Sequence, residues 1–246
     1  MSDITPKTNY KVAVLIYEGV NILDFTGPMQ VFSQASYDYE TGEPCLKPVF
    51  EIKTIAQKPI IHTANSLTIE PDITLEDARD KSTEFDILII PGASMSKIQS
   101  LIDNKTSPEV DLIRRYTIPE CKRPRMLLSM CTGAFLLCAA GILSGLTVTT
   151  HYQALDALRD LCCGVNDSKQ KKASTTVIHR RFVDAGVLQG TNVRIVTAGG
   201  ISASIDGAFY ILCKLLNPQV ASRVSRTMEY GWAEQDVDWP LRFIAS

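Results

Sequence analysis

Near the middle of the chain the sequence reads Arg125-Met126-Leu127-Leu128-Ser129-Met130-Cys131-Thr132-Gly133-Ala134. The apolar run Arg125–Met130 predicts a buried strand, and Thr132–Ala140 predicts a packed helix directly after Cys131. A strand that turns sharply into a helix is the geometry of a nucleophile elbow, here with a cysteine in the nucleophile's place. We expect the dipole of the following helix to lower the pKa of the Cys131 thiol.

Seven cysteines are present, and a buried core residue is the ordinary interpretation of any one of them. Cys138 and Cys213 lie in predicted helices and are interpreted as core residues. The neighbours Cys162 and Cys163 lie at a predicted helix end and are interpreted as incidental. Cys131 alone lies at the carboxyl end of a strand, which is where ligands bind in doubly wound sheets.

Strand and helix patterns alternate on both sides of this segment. The alternation predicts an α/β fold with a mostly parallel central sheet and helices on both faces. The predicted strands are Lys11–Ile16, Val49–Ala56, Ser66–Ile69, Phe85–Ile90, Arg125–Met130, Thr147–Thr150, Thr176–Val183 and Val193–Thr197. The predicted helices are Phe25–Ala35, Pro108–Tyr116, Thr132–Ala140, Tyr152–Leu161, Ile201–Leu216 and Gln219–Trp232, and Cys162–Ser174 is predicted to be a loop.

The composition is that of a globular domain with little net charge. The 246 residues include 25 basic and 27 acidic side chains, so the net charge is -2, which argues against a nucleic-acid-binding protein. An odd number of cysteines without Cys-x-x-Cys spacing and only three histidines argue against a disulfide scaffold or a zinc site. Met1–Lys11 is polar and no apolar stretch suits a bilayer, so we expect no signal peptide, no membrane contact and a cytoplasmic protein.

From the residues alone, the ordinary interpretation of Asp24 is structural. It directly precedes the apolar-periodic segment Phe25–Ala35, and this spacing by itself favours a helix N-cap.

Several short motifs, taken in their order along the chain, resemble the DJ-1/PfpI superfamily. They are Val12–Tyr17, Leu23–Pro28 (Leu-Asp-Phe-Thr-Gly-Pro), Phe85–Gly92, Cys131–Ala134, Val148–His151 and Thr197–Asp206. The resemblance implies a flavodoxin-like doubly wound sandwich related to class I glutamine amidotransferases. It also implies a single domain over residues 1–246, with a core at about 10–216 and a C-terminal helix and tail at 217–246. A homodimer without metal or organic cofactor is implied as well.

The resemblance also assigns roles at the site. It implies that Cys131 is the nucleophile and that Asp24 lies close to it as a general acid, which delivers a proton during catalysis. Because two neighbouring acids repel each other as anions, one of the two would then keep its proton near neutral pH. The N–H of Thr132 would form an anion hole together with the N–H of Gly92 or Ala93. For Asp24, the resemblance therefore favours the catalytic interpretation over the helix cap.

Three further residues are implied to lie by the substrate pocket: Gly27, His151 and Ser202. His151 ends a Thr-Thr-His motif, and a hydrogen-bonded residue at a strand end is an equal alternative for it. Ser202 follows Gly199-Gly200, and it is also suited to cap the helix after it.

The Leu-Asp-Phe-Thr-Gly-Pro and Cys-Thr-Gly-Ala motifs look most like those of isonitrile hydratases and of the ligand-binding domains of AraC-type regulators. The resemblance implies a cysteine-dependent lyase that hydrates a small isonitrile to an N-formamide through a covalent thioimidate. A regulator needs a DNA-binding domain, for which the chain after Leu216 is too short. Thr132 stands where PfpI-type peptidases carry histidine. The remaining alternatives are a DJ-1-type glyoxalase or deglycase, whose relatives usually carry Glu in place of Asp24, and a cysteine redox sensor.

Overall fold

A seven-stranded sheet runs through the centre of the protein. The computed structural model describes residues 9–36, 48–64, 67–104, 106–166 and 173–232. The strands within these residues are β1 (Tyr10–Leu15), β2 (Phe50–Ala56), β3 (Ile61–His62), β4 (Thr68–Ile69), β5 (Ile73–Thr74), β6 (Ile87–Ile90), β7 (Arg125–Met130), β8 (Thr147–Val148), β9 (Thr176–Val177), β10 (Phe182–Val187) and β11 (Val193–Ala198). The central sheet has the order β10-β11-β7-β6-β1-β2-β5, and within it only the β10–β11 pair is antiparallel.

Helices cover the sheet in two groups. The helices of the described residues are α1 (Ile22–Gln34), α2 (Leu75–Asp80), α3 (Met95–Asp103), α4 (Pro108–Tyr116), α5 (Ala134–Ala139), α6 (Leu155–Asn166), α7 (Ala203–Leu215) and α8 (Pro218–Thr227). Helices α1, α7 and α8 pack on one another, and α2 to α6 form the second group. The predicted fold class, a mostly parallel sheet between helices, is confirmed.

The middle of the sheet is covered on both faces. Every residue of β6 and β7 is buried, and both α5 and α7 contact β7. This is why these strands read as nearly continuous apolar runs instead of alternating ones. Register then sets the position of the site, because Ile90 pairs with Ser129 and Met130 with Ala198. The residues that follow β6, β7 and β11 therefore meet at one edge of the sheet.

The start of α1 differs from the prediction. The helix begins at Ile22 and its N-cap position is Asn21, so Asp24 lies inside the first turn instead of capping it. Pro28 lies in the helix interior, where it removes one backbone N–H donor. The cap interpretation of Asp24 is therefore wrong, and its carboxyl is available for other contacts.

Other predicted boundaries are corrected as well. The strand predicted over Thr176–Val183 divides into β9 and β10, because Thr176–Val177 pair with β8 in a separate two-stranded sheet, whereas the strand that starts at Phe182 pairs with β11 in the central sheet. Helix α6 continues to Asn166, so Cys162 is buried in a helix and not in a loop. The rest of that predicted loop includes 167–172, which lie outside the described residues. Helices α2 and α3 are additional to the predicted elements.

The last described residues turn back onto α7. Helix α8 ends at Thr227, earlier than predicted, and the rings of Tyr230 and Trp232 stack on Phe209 at centroid distances of 5.7 and 5.5 Å. The predicted tail with Trp239 lies outside the described residues. Across the part of the chain that the structure describes, no helix has both the length and the apolar character of a membrane span.

Gly133→Ala is expected to destabilise the protein. An added Cβ would lie 2.4 Å from the carbonyl oxygen of Ile90 and 2.8 Å from that of Pro91, and neither backbone atom can rotate away. We expect the free energy of unfolding, measured by urea denaturation, to fall by roughly 1–3 kcal/mol. The matched control is Gly164→Ala in α6, where an added methyl meets nothing within 4 Å and a helix former replaces glycine. An equal loss in both variants would contradict this account.

Candidate active site

The backbone of Cys131 is held in an unusual conformation. Cys131 follows β7 directly and has a φ of 52°, in the left-handed region that non-glycine residues seldom adopt. Its N–H donates to the carbonyl of Gly199 at 2.8 Å, and the hydroxyl of Thr150 donates to its carbonyl at 2.7 Å. A 3₁₀ turn over Cys131–Gly133 then leads into α5. The chain thus makes the sharp strand-to-helix turn that the sequence predicts.

Asp24 is a fully buried carboxyl in the first turn of α1. Its Oδ2 accepts hydrogen bonds from the backbone N–H of Gly92 at 3.0 Å and from the side-chain amide of Asn21 at 3.4 Å. Its Oδ1 makes no hydrogen bond within the described residues. One carboxyl oxygen is therefore fixed by donors, while the other is available to exchange a proton.

Asp24 and Cys131 perturb each other's ionisation. Burial raises the pKa of Asp24 to about 6, although the hydrogen bonds from Gly92 and Asn21 act in the opposite direction. Burial, and then the charge of Asp24, raise the pKa of Cys131 to about 12, although the N–H of Thr132 acts against them. At neutral pH the pair therefore carries one negative charge, mainly on the carboxylate, and one proton on the sulfur.

The expected lowering of the Cys131 pKa is wrong. Helix α5 has only six residues and begins after a 3₁₀ turn, so its dipole is small. The residue is only 4% exposed, and loss of hydration outweighs the helix. The pKa values do support the expectation that one of two neighbouring acids keeps its proton.

The N–H groups predicted for an anion hole have partners in this structure. Gly92 N–H donates to Asp24, and Ala93 N–H donates to the hydroxyl of Thr132 at 2.9 Å. That hydroxyl donates back to the carbonyl of Ala93 at 2.7 Å. Only glycine fits at position 92, because an added Cβ would lie 2.8 Å from the Cβ of Cys131. The loop after β6 is thus hydrogen-bonded to the elbow. Because these N–H groups already have acceptors, the anion hole stays a prediction.

Two polar side chains at the site were not found by the sequence analysis. The amide nitrogen of Asn21 lies 3.4 Å from Oδ2 of Asp24 and 4.0 Å from Sγ of Cys131. Tyr17 is buried and donates to the carbonyl of Pro91 at 2.5 Å, and burial followed by the charges of Asp24 and Cys131 raises its pKa. The position of Asn21 before a helix was the available signal, yet its side chain makes no capping bond.

Gly27 and His151 make other contacts. Gly27 lies where α1 meets α7, and an added Cβ there would lie 2.9 Å from Ile205. The Nδ1 of His151 accepts a hydrogen bond from the N–H of Gln153 at 3.3 Å, and its ring lies 4.7 Å from that of Tyr152. Burial lowers the pKa of His151, which favours the neutral ring. The residue before it in the chain, Thr150, donates its hydroxyl to the carbonyl of Cys131.

Ser202 is exposed and lies at the N-cap position of α7, but its side chain makes no capping hydrogen bond there. It lines a cleft of about 180 Å³ together with Tyr152, Arg180 and other residues. Neither Cys131 nor Asp24 lines this cleft. Of the predicted site residues, the structure therefore brings five together: Asp24, Cys131, Thr132, Gly92 and Ala93. The other three make different contacts: Gly27 with α7, His151 with Gln153 and Tyr152, and Ser202 with the separate cleft.

The fold and the site define a class of protein: a doubly wound α/β domain with a cysteine at a strand-to-helix elbow and a buried carboxyl beside it. The sequence model of the DJ-1/PfpI family matches residues 10–212. The chain belongs to the DJ-1/PfpI family.

Individual relatives are distant. Isonitrile hydratase of Pseudomonas putida is 26% identical over 221 residues, which are 90% of this chain and 78% of that protein. Parkinson disease protein 7 homolog of Danio rerio is 26% identical over 170 residues, 69% of this chain and 76% of that protein. Among solved structures, a THiJ/PfpI family protein from Pseudomonas syringae has a TM-score of 0.69 at 19% identity, covering 98% of this chain and 84% of its own. Drosophila melanogaster DJ-1beta has a TM-score of 0.68 at 14% identity, and the match covers 91% of this chain and 100% of that chain.

Asp24→Asn is expected to stabilise the protein above pH 6. The pKa of Asp24 is about 6 in the folded protein against an ordinary value of 3.8. Ionisation of the buried carboxyl therefore opposes folding at pH 8, and this penalty is lost as the pH falls toward the unfolded value. Asparagine cannot ionise, so we expect a gain of up to about 3 kcal/mol at pH 8, and most of it absent at pH 4.

Urea denaturation of wild type and variant at both pH values measures this gain. Asp160→Asn, which changes an exposed carboxyl in α6, is the matched control and should show no such pH-dependent difference. A gain of equal size at pH 4 and pH 8 would refute the ionisation account.

Asn21→Leu is expected to raise the pKa of Asp24 further. The variant removes a donor to Oδ2, so the carboxylate loses a hydrogen bond that its protonated form needs less. A bond of this kind corresponds to about one pKa unit. Titration of the Asp24 carboxyl carbon by NMR measures the shift, and Asn21→Gln, which keeps the amide, should show a smaller one. An unchanged pKa in Asn21→Leu would mean that the amide does not act on the pair.

Proposed function

We propose that the protein is an isonitrile hydratase-like lyase that converts a small isonitrile, R–N≡C, to an N-formamide. The observation that carries the proposal is the buried pair of Asp24 and Cys131, which shares one proton and one negative charge. An isonitrile carbon must gain both a nucleophile and a proton, and this pair supplies both. Similarity to Pseudomonas putida isonitrile hydratase over 90% of the chain supports the choice of substrate.

In the first step, Asp24 takes the proton of the Cys131 thiol while the sulfur attacks the terminal carbon. Asp24 then gives that proton to the same carbon. The product is a covalent thioimidate, R–N=CH–S–Cys131, and Asp24 is again a carboxylate. A carboxyl with a pKa of about 6 is suited to accept and donate a proton near neutral pH.

In the second step, Asp24 takes a proton from a water molecule that attacks the thioimidate carbon. That proton passes to the nitrogen, which gives a tetrahedral adduct, R–NH–CH(OH)–S–Cys131. The carbon–sulfur bond breaks, the hydroxyl proton returns to the sulfur, and R–NH–CHO leaves. Atoms balance as one isonitrile and one water per formamide. The amide of Asn21 lies near both Oδ2 and Sγ, so it is placed to stabilise the negative charge on either.

A DJ-1-type glyoxalase or deglycase is the second candidate, and the similarity to Parkinson disease protein 7 homolog favours it. Such an enzyme would use the same cysteine on a 2-oxoaldehyde. A redox sensor based on Cys131 has less support, because oxidation requires the thiolate and the pKa of this thiol is raised. The homodimer, the cytoplasmic location and the absence of a cofactor stay predictions.

The first experiment measures N-formamide formation from a simple alkyl isonitrile with purified, reduced protein. We expect wild type to turn the substrate over and Cys131→Ala to form no formamide. Asp24→Asn should lose at least about a hundredfold in rate, because a positioned acid–base group contributes that much. Cys163→Ser, which changes an exposed cysteine outside the site, is the matched control and should retain wild-type turnover.

A folded, reduced wild-type protein that forms no formamide would overturn the hydratase proposal. Lactate formed from methylglyoxal by that same sample, and lost in Cys131→Ala, would then favour the glyoxalase. Formamide formation that survives in Cys131→Ala would contradict the covalent mechanism.

A further inference from the structure

A second pair of sulfur atoms lies in the core, apart from the candidate active site. Sγ of Cys138 in α5 lies 3.3 Å from Sγ of Cys162 in α6. Cys138 is 3% exposed and Cys162 is 4% exposed. The two residues are 24 positions apart in the chain, so their contact depends on the packing of α5 against α6. The mechanism proposed above uses neither thiol.

The two helices begin at different parts of the site. Helix α5 directly follows the 3₁₀ turn that contains Cys131, and α6 directly follows the 3₁₀ turn over Tyr152–Ala154 that His151 precedes. A covalent bond between the helices would therefore join the chain that leaves the elbow to the chain that leaves His151.

We propose that Cys138 and Cys162 are a modification site, at which hydrogen peroxide oxidises the two thiols to an intramolecular disulfide. A disulfide bond is about 2.0 Å long, so the two sulfur atoms need to approach by little more than 1 Å. Neighbouring helices can supply a movement of this size through side-chain rotation. The cross-link would close a loop within the folded chain, which favours the native state over the unfolded chain.

The chemistry balances with peroxide as the oxidant. A hydrogen bond from the Cys138 thiol lowers the pKa of Cys162, so Cys162 is the sulfur that ionises first. Its thiolate attacks one peroxide oxygen, the O–O bond breaks, and a sulfenic acid and one water form after proton transfer. Cys138 then attacks the Cys162 sulfur, its proton leaves with the hydroxyl as a second water, and the S–S bond forms. Two thiols and one peroxide give one disulfide and two waters.

Cys163 provides an internal comparison. It is the next residue in α6 and its side chain is exposed, so peroxide reaches it more readily. Within the described residues it has no sulfur partner like that of Cys162. Exposure alone would therefore favour oxidation of Cys163, whereas proximity of a second sulfur favours oxidation of Cys162. The pattern of oxidation therefore distinguishes the two explanations.

The test is disulfide mapping of the full chain. Native protein is treated with hydrogen peroxide, alkylated with N-ethylmaleimide under denaturing conditions and digested without reduction. Trypsin would leave Cys131 and Cys138 in one peptide, because no Lys or Arg separates them, so chymotrypsin is used to cleave after Phe135. Mass spectrometry should then find a peptide cross-linked through Cys138, lighter by two hydrogens than its reduced components.

Serine variants assign the second sulfur. We expect the cross-link to persist in Cys163→Ser and to be lost in Cys162→Ser and in Cys138→Ser. The thermal unfolding midpoint of wild type and of Cys163→Ser should rise after peroxide treatment and return after reduction with dithiothreitol. If either core variant fails to fold, the wild type and Cys163→Ser maps still decide the question.

Two results would overturn the proposal. One is free, alkylatable Cys138 and Cys162 in peroxide-treated wild type whose Cys163 has been oxidised. The other is a cross-link that joins Cys138 to Cys163, or that joins Cys131 to either residue of α6. Because the map does not depend on turnover, it tests the disulfide separately from the hydratase activity.

Discussion

The site depends on one negative charge shared by two acids that are almost completely removed from water. Asp24 is fully buried and Cys131 is 4% exposed, so full ionisation of both would place two anions in a region with little solvent. The protein keeps one proton between them and supplies few donors: one peptide N–H, one amide and the N–H of Thr132. A charge held this way is poorly solvated, so ionisation of the buried carboxyl lowers the stability of the folded protein. In the function proposed above, the same poor solvation makes the carboxylate a ready acceptor of the thiol proton.

The position of this pair is set by the sheet. Cys131 occupies a left-handed conformation because its backbone is fixed on one side by Gly199 after β11 and on the other by Thr150 after β8. Gly92 and Gly133 admit the closest backbone approaches, since a Cβ at either would meet neighbouring atoms at less than 3 Å. Three chain segments that are distant in sequence must therefore be in register before the thiol and the carboxyl can meet. The unfavourable backbone conformation of Cys131 is therefore maintained by hydrogen bonds of its own backbone with Gly199 and Thr150.

The sequence predicts elements well where local signals and burial agree. Pro108–Tyr116 and Arg125–Met130 have the predicted bounds, because Ser107 and Pro108 mark a helix start and β7 is apolar throughout. Helix α2 was missed although Thr74 accepts from the N–H of Asp77, a capping pattern that the sequence contains. The contact of Asn21 with the site could not be predicted from neighbouring residues, since it involves the sulfur of Cys131, 110 positions away in the chain. The raised pKa of Cys131 could not be predicted from the sequence either, because the extent to which the thiol is buried depends on the whole fold.

The hydrogen bonds between the start of α1 and the loop after β6 have a consequence for which acid fits at position 24. Asn21 N–H donates to the carbonyl of Gly92, and Gly92 N–H donates to the carboxyl of Asp24, so both backbone polar groups of this one glycine are bound at the start of α1. The length of the acidic side chain therefore sets the spacing between helix and loop. A glutamate at this position would add one methylene, and the loop would have to retreat from the helix and from the elbow beneath it. The aspartate and the position of this loop therefore depend on each other, so exchanging the acid alone would disturb the geometry of the site.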